Sequence, residues 1–241
     1  MFSSTVPQAG PARGSSDLSV APVWHTVVVL FLLLGLSFVG AHVDLSGNLG
    51  VHGRAPLYLV VIVFEWTTVS FIWWGLGLRG MRMRDLVGGS WARPVHFLRD
   101  LCLGIAFILI FGFAVLQGLA HLLKAVPPQS MRAMLPQTGS EMTLWVLMSL
   151  TAGFCEEVIF RGYLQRQFSA FSHSLAAGIV LQAVVFGFSH GYQGGKLMLL
   201  IAFYGVCFGL LAHWRRSLRP GMIGHALQDT AGGLLARFLT R

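Results

Sequence analysis

Charge is scarce in this sequence, and acidic charge is scarcest. Nine Asp and Glu stand against 17 Lys and Arg in 241 residues, and charged residues make up 11% of the chain. Soluble domains carry about 25%, so an ordinary water-soluble domain is excluded. Cysteine is nearly absent. Cys102, Cys155 and Cys207 all fall within apolar stretches and have no paired spacing, which excludes a disulfide framework and a CxxC metal site and leaves them as packing residues. Internal repeats and low-complexity tracts are lacking too, and no compositional break marks a second globular domain.

What fills the chain is hydrophobicity. Apolar residues make up 55% and mean hydropathy is +0.69. Apolar blocks lie at about 23–41, 55–78, 100–123, 143–164, 172–190, 197–214 and 220–238, most of them near the ~20 residues that a helix needs to cross a ~30 Å hydrocarbon core. The expected fold is all-α, a polytopic membrane bundle of about seven transmembrane helices. Its parts are a flexible tail over 1–21, rich in Ser, Pro and Gly, N-terminal transmembrane helices over 22–139, and a C-terminal transmembrane core over 140–241. The first block has no basic leader with a small-residue cleavage site and reads as a retained signal-anchor. The last block holds His225, Gln228 and Asp229, and so must face protein or a wet cavity.

A formal charge of +8 would suggest nucleic acid in a soluble chain. Here the basic residues gather at the ends of apolar blocks, a topology and headgroup signal rather than a nucleic-acid surface. With the amino terminus cytoplasmic, the arginine-rich connections around 79–99 and 215–219 fall inside. The poorer set of Arg54, Lys124, Arg132, Lys196, Arg237 and Arg241 falls outside. The bilayer is the expected partner, and oligomeric state has no signature in the sequence.

Three short constellations carry the chemistry. Glu156, Glu157 and Arg161 lie in Cys-Glu-Glu-Val-Ile-Phe-Arg-Gly, and ionisable groups inside an apolar helix are expensive unless they work. Glu157 and Arg161, at i and i+4, share a helix face and read as an ion pair. Glu156 is rotated about 100° away and lacks a local partner, which suits it to act as a general base. Phe186 and His190 form a second i, i+4 pair, His225 and Asp229 a third. Taken singly, each pair could be a structural staple. Together, Glu, His, His and Asp on three helices supply the groups for activating water against an amide. Glu65, Gln117 with His121, and Gln182 read as packing hydrogen bonds, with Glu65 the best candidate for a secondary role.

The order EExxxR, FxxxH, HxxxD over about 75 residues resembles the CPBP family, which contains the CAAX prenyl endopeptidases and the bacterial Abi-type membrane proteases. The likeness rests on Glu156, Glu157, Arg161, Phe186, His190, His225 and Asp229. It implies an intramembrane endopeptidase in a bacterial cytoplasmic membrane. Glu156 would activate water, Glu157 and Arg161 would support it, and His190 with His225 would stabilise the oxyanion. The expected substrate is a peptide or a membrane-protein segment. The last motif position, often Asn in the prenyl-protein proteases, is Asp229 here. Asp229 is then protonated, or orients His225, or shares a divalent metal such as Zn2+ with Glu156, His190 and His225. The expectation is hydrolysis with no required cofactor.

Two other classes fit the composition. A proton-coupled carrier would relay protons through Glu156, His190 and His225, and a non-catalytic immunity or scaffold protein would keep the cluster for stability. One geometric conflict stands in a strict seven-helix bundle, where His190 and His225 fall near opposite membrane surfaces. A shared site requires a half-embedded or tilted segment between 191 and 224, or helix boundaries shifted by a turn or more.

Overall fold

The computed structural model describes residues 19–42 and 53–239, and among these every regular element is helical. In chain order they are α1 (Val23–His42), α2 (Ala55–Gly77), the short α3 (Met83–Val87), α4 (Pro94–Leu122), the short α5 (Gln129–Ala133), α6 (Gly139–Ser172), α7 (Leu175–Ser189), α8 (Gly195–Arg215) and α9 (Arg219–Leu239). A 3-10 turn, Gly191–Gln193, joins α7 to α8. The protein is an integral, multi-pass membrane protein. All seven apolar blocks are helical, yet only α1, α2, α4, α6 and α8 are long and apolar enough to cross a bilayer. α7 has 15 residues, about 22 Å at 1.5 Å per residue, and α9 is diluted by Arg219, His225, Gln228 and Asp229.

Residues 1–18 of the expected tail lie outside the described residues. Ser19, Val20 and Ala21 are buried, and the side chain of Gln167 explains why. Its Oε1 accepts from the backbone N–H of Val20 at 2.8 Å, and its Nε2 donates to the Ala21 carbonyl at 2.9 Å and to Thr26 Oγ1 at 2.6 Å. A buried amide that satisfies backbone groups on both sides ties the start of α1 to α6.

α6 is the axis of the bundle. Its start is fixed by a capping box. Thr138 Oγ1 accepts from Glu141 N–H at 3.2 Å, while the Glu141 carboxylate accepts from Thr138 N–H at 3.1 Å. The same carboxylate accepts from Arg54 N–H at 2.9 Å and so holds the start of α2 as well. α2 then runs parallel to α6, with Tyr58 against Trp145 and Trp66 against Phe154. α9 runs antiparallel to α6, with Leu218 opposite Gly162, Ala226 opposite Gly153 and Gly233 opposite Trp145. A Cβ on Gly153 would stand 2.7 Å from Ala226, so glycine is what lets the two backbones close.

These registers remove the depth conflict. From Glu156 to its end at Ser172, α6 covers nearly the same length as the whole of α7, which doubles back along it, with Gly178 against Gln165 and Ser169. The end of α7, and with it His190, therefore returns to the level of Glu156. α9 begins opposite Gly162 rather than opposite the end of α6, so His225 is level with the residues just before Glu156. The short α7 and the inset start of α9 do what a strict bundle of equal helices could not.

Candidate active site

Glu156 closes the regular α-helical part of α6, and the eight residues Glu157–Leu164 that follow are π-helical. Such widened turns recur where side chains must be re-aimed at functional sites. Here the helix carries Glu157, Arg161 and the fully buried Tyr163 toward its neighbours.

The structure brings Glu156, Glu157, Arg161, Phe186, His190, His225 and Asp229 into one cluster. Glu156 Oε1 is 4.0 Å from Nε2 of His190, and Glu156 Oε2 is 3.5 Å from Nε2 of His225. Asp229 Oδ2 is also 3.5 Å from Nε2 of His225. Glu157 reaches the other face of the same imidazole, with Oε1 3.3 Å from Nδ1 of His225 and 3.0 Å from Nη1 of Arg161. The spacing of two adjacent glutamates suggested separate directions. In the structure both converge on His225, one at each ring nitrogen.

The tautomers follow from the partners. His190 Nδ1 is 2.8 Å from the carbonyl of Phe186. A carbonyl only accepts, so Nδ1 carries the proton and Nε2 is turned to Glu156. Glu157 accepts from Nδ1–H of His225 and leaves Nε2 of that ring to Glu156 and Asp229. Orientation of His225 thus falls to Glu157, while Asp229 stands at the ring nitrogen that faces the site.

Arg161 is buried with its guanidinium over the rings of Phe186 at 4.2 Å and Phe208 at 4.8 Å. Its charge is matched by Glu157 and by aromatic faces. Phe186 also meets the ring of His190 edge-on at 4.8 Å, so one side chain braces both the cation and the imidazole. Phe208, 5.3 Å from the ring of His225, and Tyr192, 6.1 Å from that of His190, complete the aromatic wall. Neither was signalled by the sequence, because an aromatic in an apolar helix or next to a turn is ordinary.

Glu65 of α2 joins the cluster from outside the motif region. It is buried, lies within electrostatic range of Glu156, His225 and Asp229, and its Oε2 has no hydrogen-bond partner among the described residues. By contrast, Gln182 donates to the carbonyls of Ile179 and Gly205 at 3.1 and 2.9 Å, a packing role. An apolar recess of about 330 Å³ between the end of α4, α7 and α8, lined by Leu119, Val184, Leu199 and Phe203 among others, lies apart from the polar cluster.

Among the described residues no three His, Cys, Asp or Glu side chains converge closely enough to hold a metal ion, so this arrangement does not fit the four-ligand site that the residue types allow.

No curated protein and no solved structure matches the chain. A family model does, over residues 138–231, and its description is type II CAAX prenyl endopeptidase Rce1-like. The matched span begins at the Thr138 cap of α6 and ends just past Asp229, enclosing all of the cluster except Glu65. Over these residues the chain is similar to the type II CAAX prenyl endopeptidases.

Proposed function

We propose that the protein is an intramembrane endopeptidase in which Glu156 activates a water molecule for attack on a peptide bond of a membrane-associated peptide or protein. The observation that carries this reading is the setting of the Glu156 carboxylate. Its Oε1 is 4.0 Å from Nε2 of His190, beyond a direct hydrogen bond and a separation that one shared water spans. Its buried Oε2 has no hydrogen-bond partner among the described residues, and a buried unsatisfied carboxylate oxygen calls for a functional explanation.

Glu156 takes a proton from water, and the hydroxide adds to the scissile carbonyl carbon, whose π electrons move to oxygen. His225, protonated on both nitrogens, donates from Nδ1 to Glu157 and from Nε2 to the oxyanion. The tetrahedral intermediate collapses, the C–N bond breaks, and Glu156 returns its proton to the leaving amine. His190, held by the Phe186 carbonyl, accepts a hydrogen bond from the water at Nε2 and orients it. No step passes through a metal.

The test is Glu156→Gln, which keeps volume and removes the base. In purified protein reconstituted in vesicles, cleavage of membrane-anchored peptide substrates should fall by at least ~10²-fold while helical content and melting temperature stay unchanged. An undiminished rate overturns the assignment.

A further inference from the structure

Glu65 reaches the cluster through the register of three helices. Trp66, the next residue, stacks on Phe154 at 5.4 Å, and α2 runs parallel to α6, so Glu65 is level with Gly153, just before Glu156. Gly153 is also where α9 closes on α6 through Ala226, the neighbour of His225. At this level Glu65 is 6% exposed and within electrostatic range of Glu156, His225 and Asp229. Cys155 and Tyr192 are each within range of both Glu65 and Glu156, which sets the two carboxyls beside one common space. The matched span begins at residue 138, so the likeness to known proteases says nothing about α2.

A carboxyl in this place needs partners, and the described residues supply none to its Oε2. Thr68, on the same face of α2, is spent on the Phe64 carbonyl, to which it donates at 2.9 Å. The cations of the cluster are taken as well. Arg161 is paired with Glu157 at 3.0 Å, and His225 is shared by Glu156, Glu157 and Asp229 at 3.3 to 3.5 Å. Three carboxylates already divide two cations, and a fourth negative charge inside an apolar helix would stand uncompensated. Glu65 is therefore held as the neutral acid, with one O–H to donate.

The acceptor that lacks a donor in the same space is Oε2 of Glu156, itself buried and without a hydrogen-bond partner among the described residues. We propose that Glu65 is a positioning residue of the site, whose protonated carboxyl donates a hydrogen bond, relayed by one water, to Oε2 of Glu156. No direct hydrogen bond joins the two carboxyls, and a bridging water closes such a gap at little cost. Held at Oε2 by Glu65 and His225, the base keeps its charge and its orientation while Oε1 stays turned to the water that it shares with His190. The proposal rests on the endopeptidase reading above and adds a partner for its base, contributed by a helix outside the matched span.

The test compares full-length variants with wild type in the vesicle cleavage assay and by melting. Glu65→Gln keeps the shape and an N–H donor, and should cleave within about threefold of wild type. Glu65→Leu removes the donor. It should lose about 10- to 100-fold in kcat with KM unchanged, the range for a hydrogen bond lost to a charged group, while its melting temperature stays level or rises. Glu65→Met takes its place should Glu65→Leu fail to accumulate. A wild-type kcat in the apolar variant, or Glu65→Gln as slow as the apolar variant, overturns the inference. The proton is read without activity, from the infrared difference between wild type and Glu65→Gln at neutral pH. The carbonyl stretch of a protonated carboxyl should be present in wild type and absent from Glu65→Gln; loss of an ionised carboxylate band in its stead overturns the inference as well. A fast Glu65→Leu beside an inactive Glu156→Gln sinks this inference alone, whereas an undiminished Glu156→Gln sinks the endopeptidase reading whatever the infrared band shows.

Discussion

Glu157 Oε1 lies 3.3 Å from Nδ1 of His225 although 68 residues separate the two in the chain, and the same oxygen faces Arg161 at 3.0 Å. One buried carboxylate thus fixes the tautomer of an imidazole and matches a guanidinium. Glu157→Gln keeps the shape and loses the charge. Cleavage should drop about 10- to 100-fold, the range seen when an outer partner of an essential histidine is removed. Stability should fall as well, because an unpaired charge in a dry interior costs about 3–5 kcal/mol. The double substitution Glu157→Gln with Arg161→Met removes both charges. It should recover thermal stability relative to Glu157→Gln while remaining slow, which melting curves and rates on the same samples would show. A double variant no more stable than the single one would mean that the pair is not what loads this site.

Asp229 stands at the outer nitrogen of His225, 3.5 Å from Nε2, and is the most exposed of the site carboxylates. If it serves the oxyanion as a hydrogen-bond donor, the amide of Asn does the same work. Asp229→Asn should keep activity within about tenfold, whereas Asp229→Leu should lose ~10² or more, the scale of one lost oxyanion donor. Equal losses in the two variants would show that negative charge at 229 is what matters.

The cluster was readable in the sequence because its members recur at i, i+4 on apolar helices, where charge has few innocent explanations. The three pairs Glu157–Arg161, Phe186–His190 and His225–Asp229 are in local contact in the structure. Their assembly was less legible. A count of crossings treats helices as equal rods, and by that count His190 and His225 fell at different depths. The length of α7 and the glycine contacts at 153 and 178 set the level of each histidine, and a register of that kind depends on tertiary contacts that periodicity does not contain. The tie from Glu157 to His225 was illegible for a related reason. An ion pair within one turn seemed to satisfy Glu157, and a carboxylate oxygen has room for two partners. Nothing in the local sequence marks Gln167, whose backbone partners Val20 and Ala21 lie more than 140 residues away.

Phe186 touches both halves of the machinery. Its ring underlies the Arg161 guanidinium at 4.2 Å and braces His190 at 4.8 Å, while its backbone carbonyl fixes Nδ1 of His190. Side-chain substitution spares the carbonyl. Phe186→Ala should therefore destabilise strongly, by about 3–5 kcal/mol for a buried ring, with Phe186→Leu intermediate. Among molecules that remain folded, the rate should drop by roughly tenfold in step with the loosened imidazole. A Phe186→Ala variant with wild-type melting temperature would contradict the packing described.

Dependence on metal can be decided directly. Nδ1 of each histidine is already committed, to the Phe186 carbonyl and to Glu157, and no group of three or more His, Cys, Asp or Glu among the described residues is disposed to hold a metal ion. In the mechanism proposed above, Glu156 and the two imidazoles move the proton and hold the oxyanion. Dialysis against a strong chelator should then leave at least about half of the cleavage rate, since no term in the barrier is assigned to a Lewis acid. Elemental analysis of active protein should find less than one equivalent of zinc per chain. Complete loss on chelation, reversed by Zn2+ and accompanied by one tightly held ion, would require Glu156, His190, His225 and Asp229 to close around a metal and would replace the water-and-glutamate mechanism.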